Sequence, residues 1–394
     1  MRIVQRSTIT LLTLLSLLRF AAADEKPVLE LEKKREAWLN RLHTEIVKID
    51  DDEDRASAAQ YVVMAFSAAG EFENARRIMD QYVLADKRNT ALLFIADGQS
   101  SIDQLDAALA TAKEAKQEFA RQRILSLIVI RQAQRGDIED AVSLLVKITS
   151  PNDRDWALSS IAKAQAIAGE MRAAEASVAK IVDDDKKAQA QESIKTAQAD
   201  PIRKIPAKVI RDYLAAMLAF SGRKRQQEAI QAIVAAQNKD EEALKKHLET
   251  ALKQVEQGIV LEQATTFTIL AVALAEAGRH EEAKQMILTA RKANDNEWLG
   301  VSSLFGSPVI VHLLICLDFE EEFDEFMNAV DKEDSLAQIG YHANLLSAGT
   351  TFAYLRRLDD AEAYYRQLKS PIEHVYFAAG VLIGWEADKE PKPD

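Results

Sequence analysis

Apolar residues along this chain recur at helical spacing, and a short turn returns between the apolar blocks. The turn reads Ala69-Gly70-Glu71-Phe72 with Ala75 after it, then Arg135-Gly136-Asp137-Ile138 with Ala141. It returns as Ala168-Gly169-Glu170-Met171 with Ala174 and as Ala277-Gly278-Arg279-His280 with Ala283. A worn copy, Arg356-Arg357-Leu358 with Ala361, lacks the glycine. Glycine just past a helix end can take the left-handed conformation that closes the last turn, where a Cβ would cost roughly 1–2 kcal/mol. An acidic residue beside it favours the next helix N-terminus, and the apolar residue that follows pins the turn to the core. The alanine then falls where two helices cross closely, and a larger side chain would overpack by about 1–3 kcal/mol. Each turn therefore predicts one antiparallel helical hairpin.

Gly136 and Gly169 lie 33 residues apart, and Gly70 and Gly136 lie 66 apart, which predicts a degenerate unit around Asp97–Glu118. A period in the low thirties marks stacked helix pairs. Alternating strand patterns are scarce, and only 13 Gly and 8 Pro interrupt 394 residues. The best strand candidate, Pro308 to Leu314, opens on a proline suited to a helix first turn and is assigned as helix.

These turns resemble those of the tetratricopeptide (TPR) family. The matching residues are the Gly-acidic-apolar turn, the alanine after it, and small residues on the preceding helix such as Ala162 and Ala271. Bulky residues further along the second helix also fit: Met79, Leu145, Val178, Ile287 and Tyr365. Val63 and Val129 depart from the small-residue pattern, and the proline that usually ends a unit is missing or displaced to Pro151 and Pro371. The spacing also breaks, with 53 residues from Gly169 to Gly222 and 56 from Gly222 to Gly278. The resemblance covers about half the chain. It implies an all-α fold, a right-handed superhelical stack (α-solenoid) of hairpins, whose first helices build a concave face for a peptide or helix of a partner protein. On that face it places Gln60, Met64, Ser126, Ile130, Ser159, Lys163, Thr268 and Val272. Chaperone-binding members clamp a peptide carboxylate with Lys, Arg and Asn at such positions; only Lys163 is offered here, so no such clamp is expected. The same residues also suit packing by the chain's own neighbouring helices.

Charge and composition narrow the partners. The net charge of −12 and pI of about 5.2 disfavour nucleic acid and anionic lipid. Residues 1–23 read as a secretory signal peptide: Arg2 and Arg6, an apolar stretch from Thr8 to Leu18, then Ala21-Ala22-Ala23. That predicts an exported protein, periplasmic or secreted, with no stable membrane insertion after cleavage. The only cysteine, Cys316, excludes an intramolecular disulfide and reads as a small buried hydrophobe. Residues 24–200 form N-terminal repeats and 201–386 C-terminal repeats, with the seam at Pro201 to Pro206 and a disordered tail at 387–394. A charged helix at Lys26–Lys48 is read as an N-terminal cap, and Asn294 to Ser307 as a loop.

A search for chemistry finds no catalytic set and no cofactor or metal motif. The six histidines are scattered, and His280-Glu281-Glu282-Ala283-Lys284 puts a lysine where a zinc helix needs its second histidine. Ser160 to Lys163 and Ser177 to Lys180 fit a Ser-x-x-Lys pattern without its partner motifs. The sharpest enzymatic alternative is Gln191-Glu192-Ser193, since periplasmic lytic transglycosylases combine helical superhelices with a Glu-Ser motif. A glutamate used as general acid needs an apolar cleft, and lysines surround this one. The sequence therefore points to a non-enzymatic scaffold, with a cell-wall-active enzyme or a self-assembling structural protein as alternatives.

Overall fold

The computed structural model describes residues 25–197, 214, 226–255, 260–295, 301–328 and 335–387. The leader expected at 1–23, the seam expected at 201–206 and the tail beyond 387 lie outside these residues. The described residues form nineteen α-helices and one 3-10 turn, with no strand among them.

The N-terminal hairpins follow α1 (Glu25–Ile46). They are α2 (Asp52–Ala68) with α3 (Phe72–Tyr82), α4 (Arg88–Ser101) with α5 (Leu105–Glu114), α6 (Glu118–Arg135) with α7 (Ile138–Leu144), and α8 (Pro151–Ile167) with α9 (Met171–Ala179). Helix α10 (Asp184–Thr196) follows alone. The C-terminal hairpins are α11 (Gln227–Gln237) with α12 (Glu241–Val255), α13 (Val260–Glu276) with α14 (His280–Asp295), α15 (Val301–Cys316) with α16 (Glu320–Asn328), and α17 (Ser335–Tyr354) with α18 (Leu358–Tyr365). The last helix is α19 (Pro371–Ala387). The expected loop at 294–307 is corrected: α14 runs to Asp295 and α15 begins at Val301, so Gly306 and Ser307 lie inside a helix, and the helix expected at Pro308–Leu314 starts seven residues earlier.

The turns are one motif repeated eight times among the described residues. A left-handed residue occupies Gly70, Asp103, Gly136, Gly169, Lys239, Gly278, Asp318 and Arg356. At Gly136 the amide donates to Ala133 O (3.1 Å) and the next amide, of Asp137, to Gln132 O (2.9 Å). The same pair of bonds closes the turn at Asp103, Lys239 and Arg356, so orphan carbonyls at each first-helix end are satisfied. Asp103 lies 33 residues from both Gly70 and Gly136, the place of the degenerate unit. Ala75, Ala108, Ala141, Ala174, Ala283 and Ala361 are all buried one turn into the second helices.

Starts are fixed by caps. Asp51 accepts from the amides of Glu53 and Asp54 (both 2.9 Å), Ser150 from that of Asp153 with Pro151 in the first turn, and Asp183 from that of Lys186. Two buried acceptors one period apart then hold successive connections. Gln122 Oε1 accepts from the amides of Thr149 (2.6 Å) and Ser150 (3.3 Å), and Asp155 from those of Val182 (3.1 Å) and Asp183 (3.0 Å).

Each first helix packs on the next: α2, α4, α6, α8, α10 on one side, and α11, α13, α15, α17, α19 on the other. The two series meet because α19 also packs on α2. Helix α1 packs along α19 and flanks α2, so it stands beside α19 as the second helix of a hairpin does. Its Trp38, Leu42 and Ile46 are buried, each burial contributing about 1.5–3 kcal/mol. The expectation that this helix caps one end is therefore corrected: it is interior to the row, with neighbours on both flanks. The row runs from α11 to α19 and on from α2 to α10, so the first and last described helices meet in its middle.

Candidate functional site

On the N-terminal first helices, positions one period apart keep one side uncovered. Met64, Asp97, Ile130 and Lys163 form one such series and Tyr61, Phe94, Leu127 and Ser160 another, all half-buried. Gln60 and Ser159, also half-buried, border them. Arg131 holds Asp97 with a two-pronged ion pair, its Nη2 at 2.9 Å from Oδ2. Tyr61 contacts the ring of Tyr376 at 4.8 Å, and Tyr376 stacks on His342 at 4.2 Å; both of these partners are buried, so the open side ends at Tyr61. Burial raises the phenols of Tyr61 and Tyr376 above their ordinary range, and each remains a neutral hydroxyl.

Of the eight residues expected on a partner face, Gln60, Met64, Ile130, Ser159 and Lys163 lie on this open side. Three do not. Ser126 is buried, and its hydroxyl donates to Asp153 O (2.9 Å) on the next first helix. Thr268 and Val272 are each 1% exposed, inside an unbroken buried run from Thr268 to Leu274. The surface is thus confined to the N-terminal hairpins.

Two aromatic residues absent from the expectation stand beside it. Phe119 is 70% exposed and Trp156 45% exposed, near the starts of α6 and α8. Val146 and Val182, both exposed, sit at the neighbouring second-helix ends. Aligning the chain on its 33-residue period would have found both aromatics: Phe119 falls where other units carry Glu53, Asp86 and Asn152, and Trp156 where they carry Ser57, Thr90 and Arg123.

The described residues hold no group of three metal-ligating side chains, and no helix long and apolar enough to cross a membrane. Among the described residues, one thiol stands against a histidine. Thr351 Oγ1 donates to Ser347 O (2.8 Å), so it accepts from His312 Nδ1 (2.8 Å), and His312 Nε2 accepts from the Cys316 thiol (3.2 Å). Burial pushes His312 down to about 4 and Cys316 up to about 12. Both groups are neutral at pH 7, the reverse of a thiolate–imidazolium nucleophile. The triplet reads as a satisfied core network. Glu192 lies on an exposed face of α10, not in an apolar cleft.

The fold and this surface define an all-α protein built from repeated helical hairpins, open along one side of half its length. No protein-family model matches the chain, and neither a curated protein nor a solved structure does.

Proposed function

We propose that this chain is a non-enzymatic scaffold that binds a peptide or helix of another protein on the open side of α2, α4, α6 and α8. The observation that carries the reading is the uncovered series Met64, Asp97, Ile130 and Lys163, bordered by exposed Trp156 and Phe119. Solvent-facing aromatics near mixed polar and apolar positions have the composition of protein-binding surfaces. The resemblance to TPR hairpins fits this use, and so does a right-handed superhelical arrangement. The leader-like residues 1–23 support export to the periplasm or the exterior, and the net charge of −12 speaks against a nucleic-acid partner.

The test is affinity capture from an envelope extract with residues 24–394, read by mass spectrometry. A partner retained by the wild-type chain and lost with Met64→Glu and with Lys163→Glu is the expected result. Retention by both variants, with helical content unchanged, would remove the open side from the account.

A further inference from the structure

Helix α1 takes the place of a second helix beside α19, although the two lie at opposite ends of the described sequence. It reaches the body through the short connector 47–51, yet it docks chiefly on α19 at the other end of the sequence, with side-chain contacts to α18. Its docking face is regular: Trp38, Leu42 and Ile46 follow one another at four-residue spacing and are all buried. Trp38 meets Tyr365 edge-on at 5.2 Å and Phe377 at 6.2 Å. Charge fixes the register. Arg41 pairs with Glu362 (2.6 Å), with its guanidinium 4.3 Å above Trp38 and 4.7 Å above Tyr365, and Lys34 pairs with Asp359 (2.9 Å). The opposite flank is held by Arg35 donating to Ala69 O (2.6 Å) and by Arg77 against His43 Nε2 (3.1 Å).

We propose that the groove between α18, α19 and α2–α3 is an acceptor site for an amphipathic helix, and that residues 25–46 are its separable occupant. The helix joins the groove by side chains alone, and no hairpin turn ties it to α19. Its hydrogen bonds, ion pairs and apolar face would survive a cut in the connector. The recognition code is a Trp-x3-Leu-x3-Ile face with an arginine three positions after the tryptophan. This latch fastens the C-terminal hairpins to the N-terminal ones, because α1 touches both.

The test uses the full chain with a protease site inserted between Val47 and Lys48, an exposed part of the connector. After folding and cleavage, the fragment ending at Val47 should stay with the body through gel filtration. A fluorescent peptide of residues 25–47 should then exchange into the groove in a saturable way. Leu42→Asp in that peptide should weaken its binding at least tenfold. Loss of the fragment on cleavage with helicity and melting unchanged would overturn the proposal, as would equal binding of the Leu42→Asp peptide. Should the insertion prevent folding, the uncut chain gives the answer. Arg41→Glu and Glu362→Arg should each lower the melting temperature, and the double variant should recover it in part. A double variant that sums the two losses would contradict the latch.

Discussion

The two halves of the row use the same turn to different ends. In residues 52–197 the left-handed residues recur every 33 positions; in residues 227–387 they stand 38 to 40 apart, at Lys239, Gly278, Asp318 and Arg356. Part of the difference lies in longer second helices: α12 and α14 have 15 and 16 residues, against 11, 10, 7 and 9 for α3, α5, α7 and α9. The first helices differ more. Helix α8 buries Leu158, Ile161, Ala162, Gln165 and Ala166 and leaves its remaining side open. Helices α13, α15 and α19 carry unbroken buried runs at Thr268–Leu274, Val309–Ile315 and Val375–Leu382. A helix covered all round is predominantly apolar; in these runs the polar side chains are Thr268, His312 and Tyr376, with Thr268 donating to Ala264 O and His312 hydrogen-bonded to Thr351. The exposed large hydrophobics among the described residues all fall between Val47 and Val182. One repeat thus supplies both an open surface and a closed core.

The closed half depends on close backbone approach. A Cβ at Gly380 would lie 2.0 Å from Leu346 O, one at Gly384 2.1 Å from Thr350 O, and one at Gly349 2.2 Å from Phe377 O. Gly380→Val should therefore cost more than about 3 kcal/mol, the upper end for overpacking, and melt the α17–α19 pair, read by circular dichroism. The open half has one such contact, Gly98 against Ser67 O at 2.4 Å. A mild effect at Gly380 would show that the two halves are packed alike.

The next effect is pH-dependent and also belongs to the closed half. His312 takes its proton at about 4 in the fold against an ordinary 6.5, so between those values the unfolded chain binds more protons. Stability is full above pH 6.5 and falls as pH drops toward 4, by roughly 3 kcal/mol in total. His312→Gln loses the buried bonds at every pH but has no proton to exclude. The wild-type advantage over this variant should shrink across that window in denaturant titrations; a constant difference would mean that His312 is not held neutral.

Smaller effects compare the turns. Gly136 has open space for a Cβ but a φ of 90°, so Gly136→Ala should cost about 1–2 kcal/mol through backbone strain alone. Asp103→Gly and Arg356→Gly should each move stability by less than about 1 kcal/mol, upward if relief of strain exceeds the entropy lost. Phe119→Asp should shift the melting temperature least, since a surface change is usually worth within about 0.5 kcal/mol.

Much of the hairpin architecture was legible because the left-handed turn selects glycine. It was read at Gly70, Gly136, Gly169 and Gly278, and spacing alone predicted the unit around Asp97–Glu118 in which Asp103 takes that place. Lys239 and Asp318 escaped notice because neither residue type advertises the conformation, and the longer period gave no second anchor. Gly306 and Ser307 look like the end of a loop and are helix, since neighbouring helices override local propensity there. Ser126, Thr268 and Val272 were placed on an open face by analogy with their period; whether a face is covered depends on helices far away in sequence. The meeting of α1 with α19 left no local signal, because nothing in Trp38 or Leu42 says which distant helix they touch.

The most direct test of the open-half account is site-specific photocrosslinking in the intact chain. A photoreactive residue is placed at Trp156 in one sample and at exposed Glu325 of α16 in another. The account predicts that the captured partner is crosslinked from Trp156 and not from Glu325. Crosslinking from Glu325 alone would contradict it, and would put the binding surface on the half described here as closed.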